Sequence, residues 1–160
     1  MGLLIVMRHA KSAYPDGVPD HERPLAARGR REAPLMAPLV DRELAQEPWV
    51  LAWVSDAVRA RQTWDLVSGA WGRNVRTAPA PDLYEADVAA IGDRVRRSGP
   101  ADAVILVGHN PGFEDALRTW VGPGAPEKFP TSAFAVLECD QPWETFDRGA
   151  IRLRAFHIAR

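Results

Sequence analysis

Apolar residues gather in three short unbroken runs, Leu3–Met7, Trp49–Val54 and Ala103–Val107. Each is too short for a helix and lacks the strict alternation of a half-exposed strand, so each reads as a buried parallel strand. Helix-like stretches lie between them, over Arg28–Leu44, Val58–Trp71 and Val88–Arg97. Pro34 and Pro38 each remove a backbone donor from the first of these, which predicts a kink or a late start there. A further helix is expected at Phe113–Val121, where Phe113, Leu117 and Trp120 share a face at i, i+4 and i+7. Ala133–Cys139 and Ile151–Ile158 read as strands around a turn-rich segment, Asp140–Gly149, and predict a hairpin at the edge of the main sheet. Strand, helix, strand in repetition makes this an α/β chain: a single domain over residues 1–160, with a mostly parallel sheet and helices on both faces.

Composition narrows the picture by exclusion. At 160 residues the chain is long enough for one core without staples. Its formal net charge of −1 gives no reason to expect nucleic acid or an anionic membrane as partner, so any positive site must be local. The lone Cys139 cannot form an internal disulfide or a cysteine-based zinc cluster, and reads as a small buried hydrophobe. The first apolar run stops at Arg8, too soon for a signal peptide or a membrane span, so a cytoplasmic location is expected. His9, His21, His109 and His157 show no metal-ligand spacing, and no metal is expected. There is no P-loop and no nucleophile elbow around Ser12 or Ser55. Of the six tryptophans, five fall on predicted strands or helices and read as packing; Trp143, in the turn-rich segment, is the candidate for a contact at a site rim.

Each predicted strand is followed by polar residues suited to phosphate chemistry. They are Arg8-His9-Ala10-Lys11-Ser12, then Ser55 to Thr63 opening a helix, then Gly108-His109-Asn110-Pro111-Gly112. Ligands of open α/β sheets bind at the carboxyl ends of the strands, so the topology gathers Arg8, His9, Arg59 and His109 at one edge. Ser12 and Asn110 follow on the same loops and join them as candidates for phosphate binding. A transferring phosphoryl group spreads charge over three oxygens, and catalysis depends on fixed positive donors. Arg8 and Arg59 can supply forked, permanent charge, and His109 a third donor when protonated. A neutral His9 can attack phosphorus and form a phosphohistidine that water then hydrolyses. The adjacent arginines should keep His9 neutral by charge repulsion.

These stretches resemble the motifs of the histidine phosphatase superfamily. Arg8-His9-Ala10 is similar to its Arg-His-Gly/Ala signature, Ser55 to Thr63 to its Ser-x-x-x-Arg-Ala-x-Gln-Thr block with the second arginine at Arg59, and Gly108-His109-Asn110 to its second histidine motif. The nearest likeness is to the compact SixA-type phosphohistidine phosphatases, through Asp20-His21-Glu22-Arg23-Pro24-Leu25 and the following Gly29. The resemblance implies a phosphoglycerate mutase-like fold, covalent catalysis through His9 without a cofactor, and a phosphate site that Arg23 also reaches. It places the family's proton donor at Glu85, within Asp82-Leu83-Tyr84-Glu85-Ala86.

Glu85 keeps two substrate classes open. An alkoxide leaving group needs a proton from a general acid, worth about 10²–10⁴-fold, whereas the imidazole of a phosphohistidine leaves readily without one. Only about fifty residues separate Arg59 from His109 and they must hold most of two helices, leaving little chain for a lid. An open pocket suits a phosphorylated side chain on a protein surface. The expected partner is therefore a phosphohistidine-bearing protein, with a small phosphate ester as the alternative substrate and a silent phosphate-binding module as the alternative role.

Overall fold

The structure, a computed structural model, describes residues 2–45 and 47–160. Six strands form one sheet: β1 (Gly2–Arg8), β2 (Val50–Val54), β3 (Arg76–Pro79), β4 (Ala103–Gly108), β5 (Ala133–Cys139) and β6 (Ile151–Ile158). Their order is β3-β2-β4-β1-β5-β6. The first four in that order run parallel, and β5 and β6 join antiparallel, so the C-terminal hairpin sits where its sequence pattern puts it.

Alternate residues of the strands face opposite layers. On one face Ile5, Met7, Ala52, Val54, Ile105 and Val107 pack under α2 (Met36–Leu44) and α3 (Val58–Gly69). On the other, Leu4, Val6, Leu51, Val104 and Leu106 pack under α4 (Val88–Arg96) and α5 (Gly112–Val121). The central strands are apolar throughout because both of their faces are covered.

The predicted first helix is two helices. α1 (Ala27–Glu32) passes through a 3₁₀ turn, Ala33–Leu35, into α2. Pro34 lies in that turn and Pro38 in the first turn of α2, where a missing N–H breaks no intrahelical bond. β3 escapes the sequence pattern: its four residues, Arg-Thr-Ala-Pro, are mostly exposed on the sheet edge and carry no apolar run. Two tryptophans depart from expectation. Trp143 packs against Gly2, at the amino end of β1, and donates its Nε1 hydrogen to Ala101 O at 2.7 Å; it lies at the opposite end of the sheet from the candidate site, because its ring is buried in the core layer beside Ala101. Trp49 lies just outside β2 and stays 42% exposed.

Buried Cys139 has its thiol pushed up to about 12, chiefly by desolvation, the behaviour of a packed hydrophobe rather than a nucleophile. Among the described residues no helix is long and apolar enough to cross a membrane.

Candidate active site

β1 and β4 are neighbours in register, with Arg8 opposite Gly108. The residues that follow, His9 and His109, therefore emerge side by side, their ring centroids 5.2 Å apart. Gly108 makes room for the buried Phe113 ring, which a Cβ would meet at 2.7 Å. A cavity of about 630 Å³ opens at this edge, lined by Arg8, His9, Ser12, Asp20, Arg23 and Arg59 on one side. Tyr84, Glu85, His109 and Asn110 line the other. The cavity thus collects every phosphate-site candidate read from the sequence, while Trp143, the rim candidate, lies away from it.

The Arg59 block shows why those residue types sit at that spacing. Arg59 lies in the first turn of α3 and turns its buried side chain to the cavity. Thr63, one turn later, donates its hydroxyl to Arg59 O at 2.7 Å and accepts the Ala10 N–H at 3.0 Å, which fixes the loop carrying His9. Gln62 accepts the Leu25 N–H at 2.8 Å and so fixes the loop carrying Arg23. One helix start positions two loops.

His9 donates its Nδ1 hydrogen to Ala10 O at 2.7 Å. Its Nε2 therefore carries the free lone pair, and Arg59 Nε points at it from 3.3 Å. Burial holds the imidazole well below its ordinary pKa, with smaller contributions from His109, Arg59 and Arg8. The neutral state expected from the sequence stands, but desolvation dominates it and the arginines come second.

His109 differs from expectation. Burial, and then Arg59, push it down to about 3, which holds the ring neutral rather than cationic. Ser55 fixes which nitrogen carries the proton. Its hydroxyl oxygen accepts the Ala57 N–H at 3.3 Å and lies 2.8 Å from His109 Nε2. Ser55 is fully buried and, among the described residues, His109 Nε2 is the acceptor in reach of its hydroxyl hydrogen, so the hydroxyl donates to Nε2 and leaves the ring hydrogen on Nδ1. His109 Nδ1, Arg8 Nε and Asn110 Oδ1 are buried without partners among the described residues. The first two are donors, and both belong to residues that line the cavity.

Arg8 is tied by Nη1 to Phe129 O at 2.9 Å. Asn110 uses its amide hydrogens on Glu114 Oε2 (3.1 Å) and on the same Phe129 carbonyl (2.8 Å), so it anchors the loop before β5 and has no amide hydrogen left to give a phosphate, contrary to its sequence-based candidacy. Arg23 donates through Nη1 to Ser12 Oγ at 3.0 Å and lies 4.0 Å from the centre of the exposed Tyr14 ring. Glu85 is exposed at the mouth, in the left-handed region at φ 55.

Sequence reasoning overlooked two residues. Asp20 accepts from Arg23 Nε at 3.0 Å and Arg59 Nη2 at 3.1 Å, and Tyr84 donates its hydroxyl to the same carboxylate at 2.5 Å. Those bonds hold the Asp20 carboxyl down at about 2, the Tyr84 hydroxyl first among the causes. The only signal in the sequence was that Asp20 and Tyr84 flank Arg23 and Glu85 within the segments already marked.

Comparison with known proteins agrees with this geometry. Residues 4–98 match the family model of the histidine phosphatase superfamily (branch 1). Uncharacterized protein Rv1276c of Mycobacterium tuberculosis is 38% identical over 164 residues, covering 96% of this chain and all of that one. Among solved structures, the putative phosphohistidine phosphatase SixA from Agrobacterium tumefaciens superposes with a TM-score of 0.81 at 28% identity, over 99% of each chain. The putative SixA from Nakamurella multipartitia gives 0.82 at 24% identity, over 99% of this chain and 96% of its own. Paired histidines at the ends of adjacent parallel strands, an arginine from the next helix and a family match across most of the chain leave one assignment: the protein belongs to the histidine phosphatase superfamily.

Proposed function

We propose that the protein is a phosphatase that moves a phosphoryl group from phosphohistidine on a partner protein to His9, and from His9 to water. The observation that carries this reading is the presentation of His9: its Nδ1 hydrogen is held by Ala10 O, so the unprotonated Nε2, with Arg59 Nε 3.3 Å away, belongs to a residue lining the cavity together with Arg8, Arg59 and His109. In the first step the Nε2 lone pair forms a bond to phosphorus while the bond to the substrate nitrogen breaks and returns its electrons to that ring. In the second, water adds to phosphorus and the His9 bond breaks, returning a neutral imidazole that still carries its Nδ1 hydrogen. Arg8 and Arg59 hold the phosphoryl oxygens throughout, and His109 donates from Nδ1. Arg23 and Ser12 extend the anion site, and Asn110 keeps its loop in place.

Two observations favour a protein substrate. The SixA likeness is one. The other is that α3, β3, a 3₁₀ turn at Pro81–Leu83, α4 and β4 occupy the chain between Arg59 and His109, so that among the described residues only the short loop 84–87 from this stretch borders the site. Glu85 at the mouth supports the alternative, a small phosphate ester whose leaving oxygen needs a proton.

The test is phosphate release from a phosphohistidine-bearing protein in the presence of a chelator, with His9→Ala as control. Wild-type release with the variant reduced by about 10³-fold or more is expected. Release from small esters alone would move the substrate to that class, and release from neither, with phosphate still bound, would make the protein a binding module.

A further inference from the structure

The Arg59 guanidinium has His9 at its Nε end and Asp20 at its other end. Nε lies 3.3 Å from His9 Nε2, Nη1 donates to Asp20 O at 2.7 Å, and Nη2 reaches Asp20 Oδ2 at 3.1 Å. A phosphoryl group bound along this guanidinium thus lies between the nucleophile and a carboxylate. That carboxylate is also held by Arg23 Nε and the Tyr84 hydroxyl, and its side chain is 55% exposed towards the mouth. An anion in that place works against any incoming phosphate and takes up donors of both arginines. A site built for phosphate esters gains nothing from it.

A substrate whose leaving group carries an N–H does gain. In phosphohistidine the phosphoryl group sits on one ring nitrogen and, in the protonated ring, a hydrogen sits on the other. We propose that Asp20 is a specificity-determining residue that selects cleavage of phosphorus–nitrogen bonds over phosphorus–oxygen bonds. It accepts the leaving group's N–H, holds that proton on the ring, and so lets the ring depart neutral when the bond breaks. No proton moves in the step: the His9–phosphorus bond forms, the substrate P–N bond breaks, and its electron pair stays with the departing nitrogen. Enzyme and substrate rings are then treated alike, one N–H held by Ala10 O and the other by Asp20.

The inference rests on the phosphatase reading above, and its test separates the two. The probes are phosphoramidate, p-nitrophenyl phosphate, and inorganic phosphate as competitive inhibitor, each with wild type and Asp20→Asn. In the variant, kcat/KM for phosphoramidate should fall by about 10–100-fold. That for p-nitrophenyl phosphate should hold or rise, and phosphate should inhibit about tenfold more tightly as the repulsion is relieved. Asp20→Ala, which removes the carboxylate without offering an amide, should repeat the change in ratio. Equal losses on both substrates with an unmoved inhibition constant would reduce Asp20 to a brace for Arg23 and Arg59 and overturn the proposal. Failure on phosphohistidine-bearing protein with the predicted ratio on small probes would overturn only the protein substrate.

Discussion

Ser55 touches no substrate position, yet it governs the proton on His109. Ser55→Ala should lower kcat by about 10–100-fold, the cost of leaving the buried His109 Nε2 without its partner, with little change in KM. Ser55→Thr, which keeps the hydroxyl, should recover most of the rate. Steady-state kinetics on any turned-over phosphate would check both, and a loss confined to KM would make Ser55 a binding contact instead. The residues most legible from sequence were Arg8, His9, Arg59 and His109, because each directly follows a recognisable strand or opens the helix after one. Asp20 and Tyr84 were not, because they sit on irregular segments 64 positions apart and meet only in three dimensions. The charge state of His109 was also out of reach, since it follows from burial that no local pattern records.

α1 touches the site loop through a missing side chain. A Cβ on Gly29 would lie 2.1 Å from Lys11 O and 3.0 Å from the Lys11 C and N atoms, all backbone that cannot swing aside. Gly29→Ala should destabilise the protein by about 1–3 kcal/mol or more and displace Lys11 and Ser12 from the cavity wall. Gly69→Ala, at the end of α3 with open space around it, should instead be neutral or stabilising by up to about 1 kcal/mol. Urea denaturation of the two variants reads the contrast, and equal effects would refute the close packing of α1 on the loop. At this scale the buried elements were legible because a strand covered on both faces is written in unbroken apolar residues. β3 was illegible because an exposed edge strand needs none. The break between α1 and α2 was legible because proline enforces it.

Across the whole molecule, the buried histidines couple stability to pH. Folded His9 and His109 are held below the ordinary histidine value of about 6.5, His109 at about 3. Between those values the unfolded chain binds protons that the folded one refuses, so stability is complete above the upper value and falls as pH drops through the window. The urea midpoint should decline from about pH 7 to about pH 4.5, and less steeply in His109→Gln; a flat profile would mean that both rings titrate normally. The order of the strands has a consequence in time. β1 is the first strand of the chain, but its partners are β4, about a hundred residues later, and β5, later still. At a synthesis rate of about 5–20 residues per second, that apolar strand waits roughly 5–20 s before anything it can pair with exists. Newborn chains therefore carry the apolar run Leu3–Met7 unpaired for those seconds, and what shields it meanwhile belongs to the cell and not to the fold.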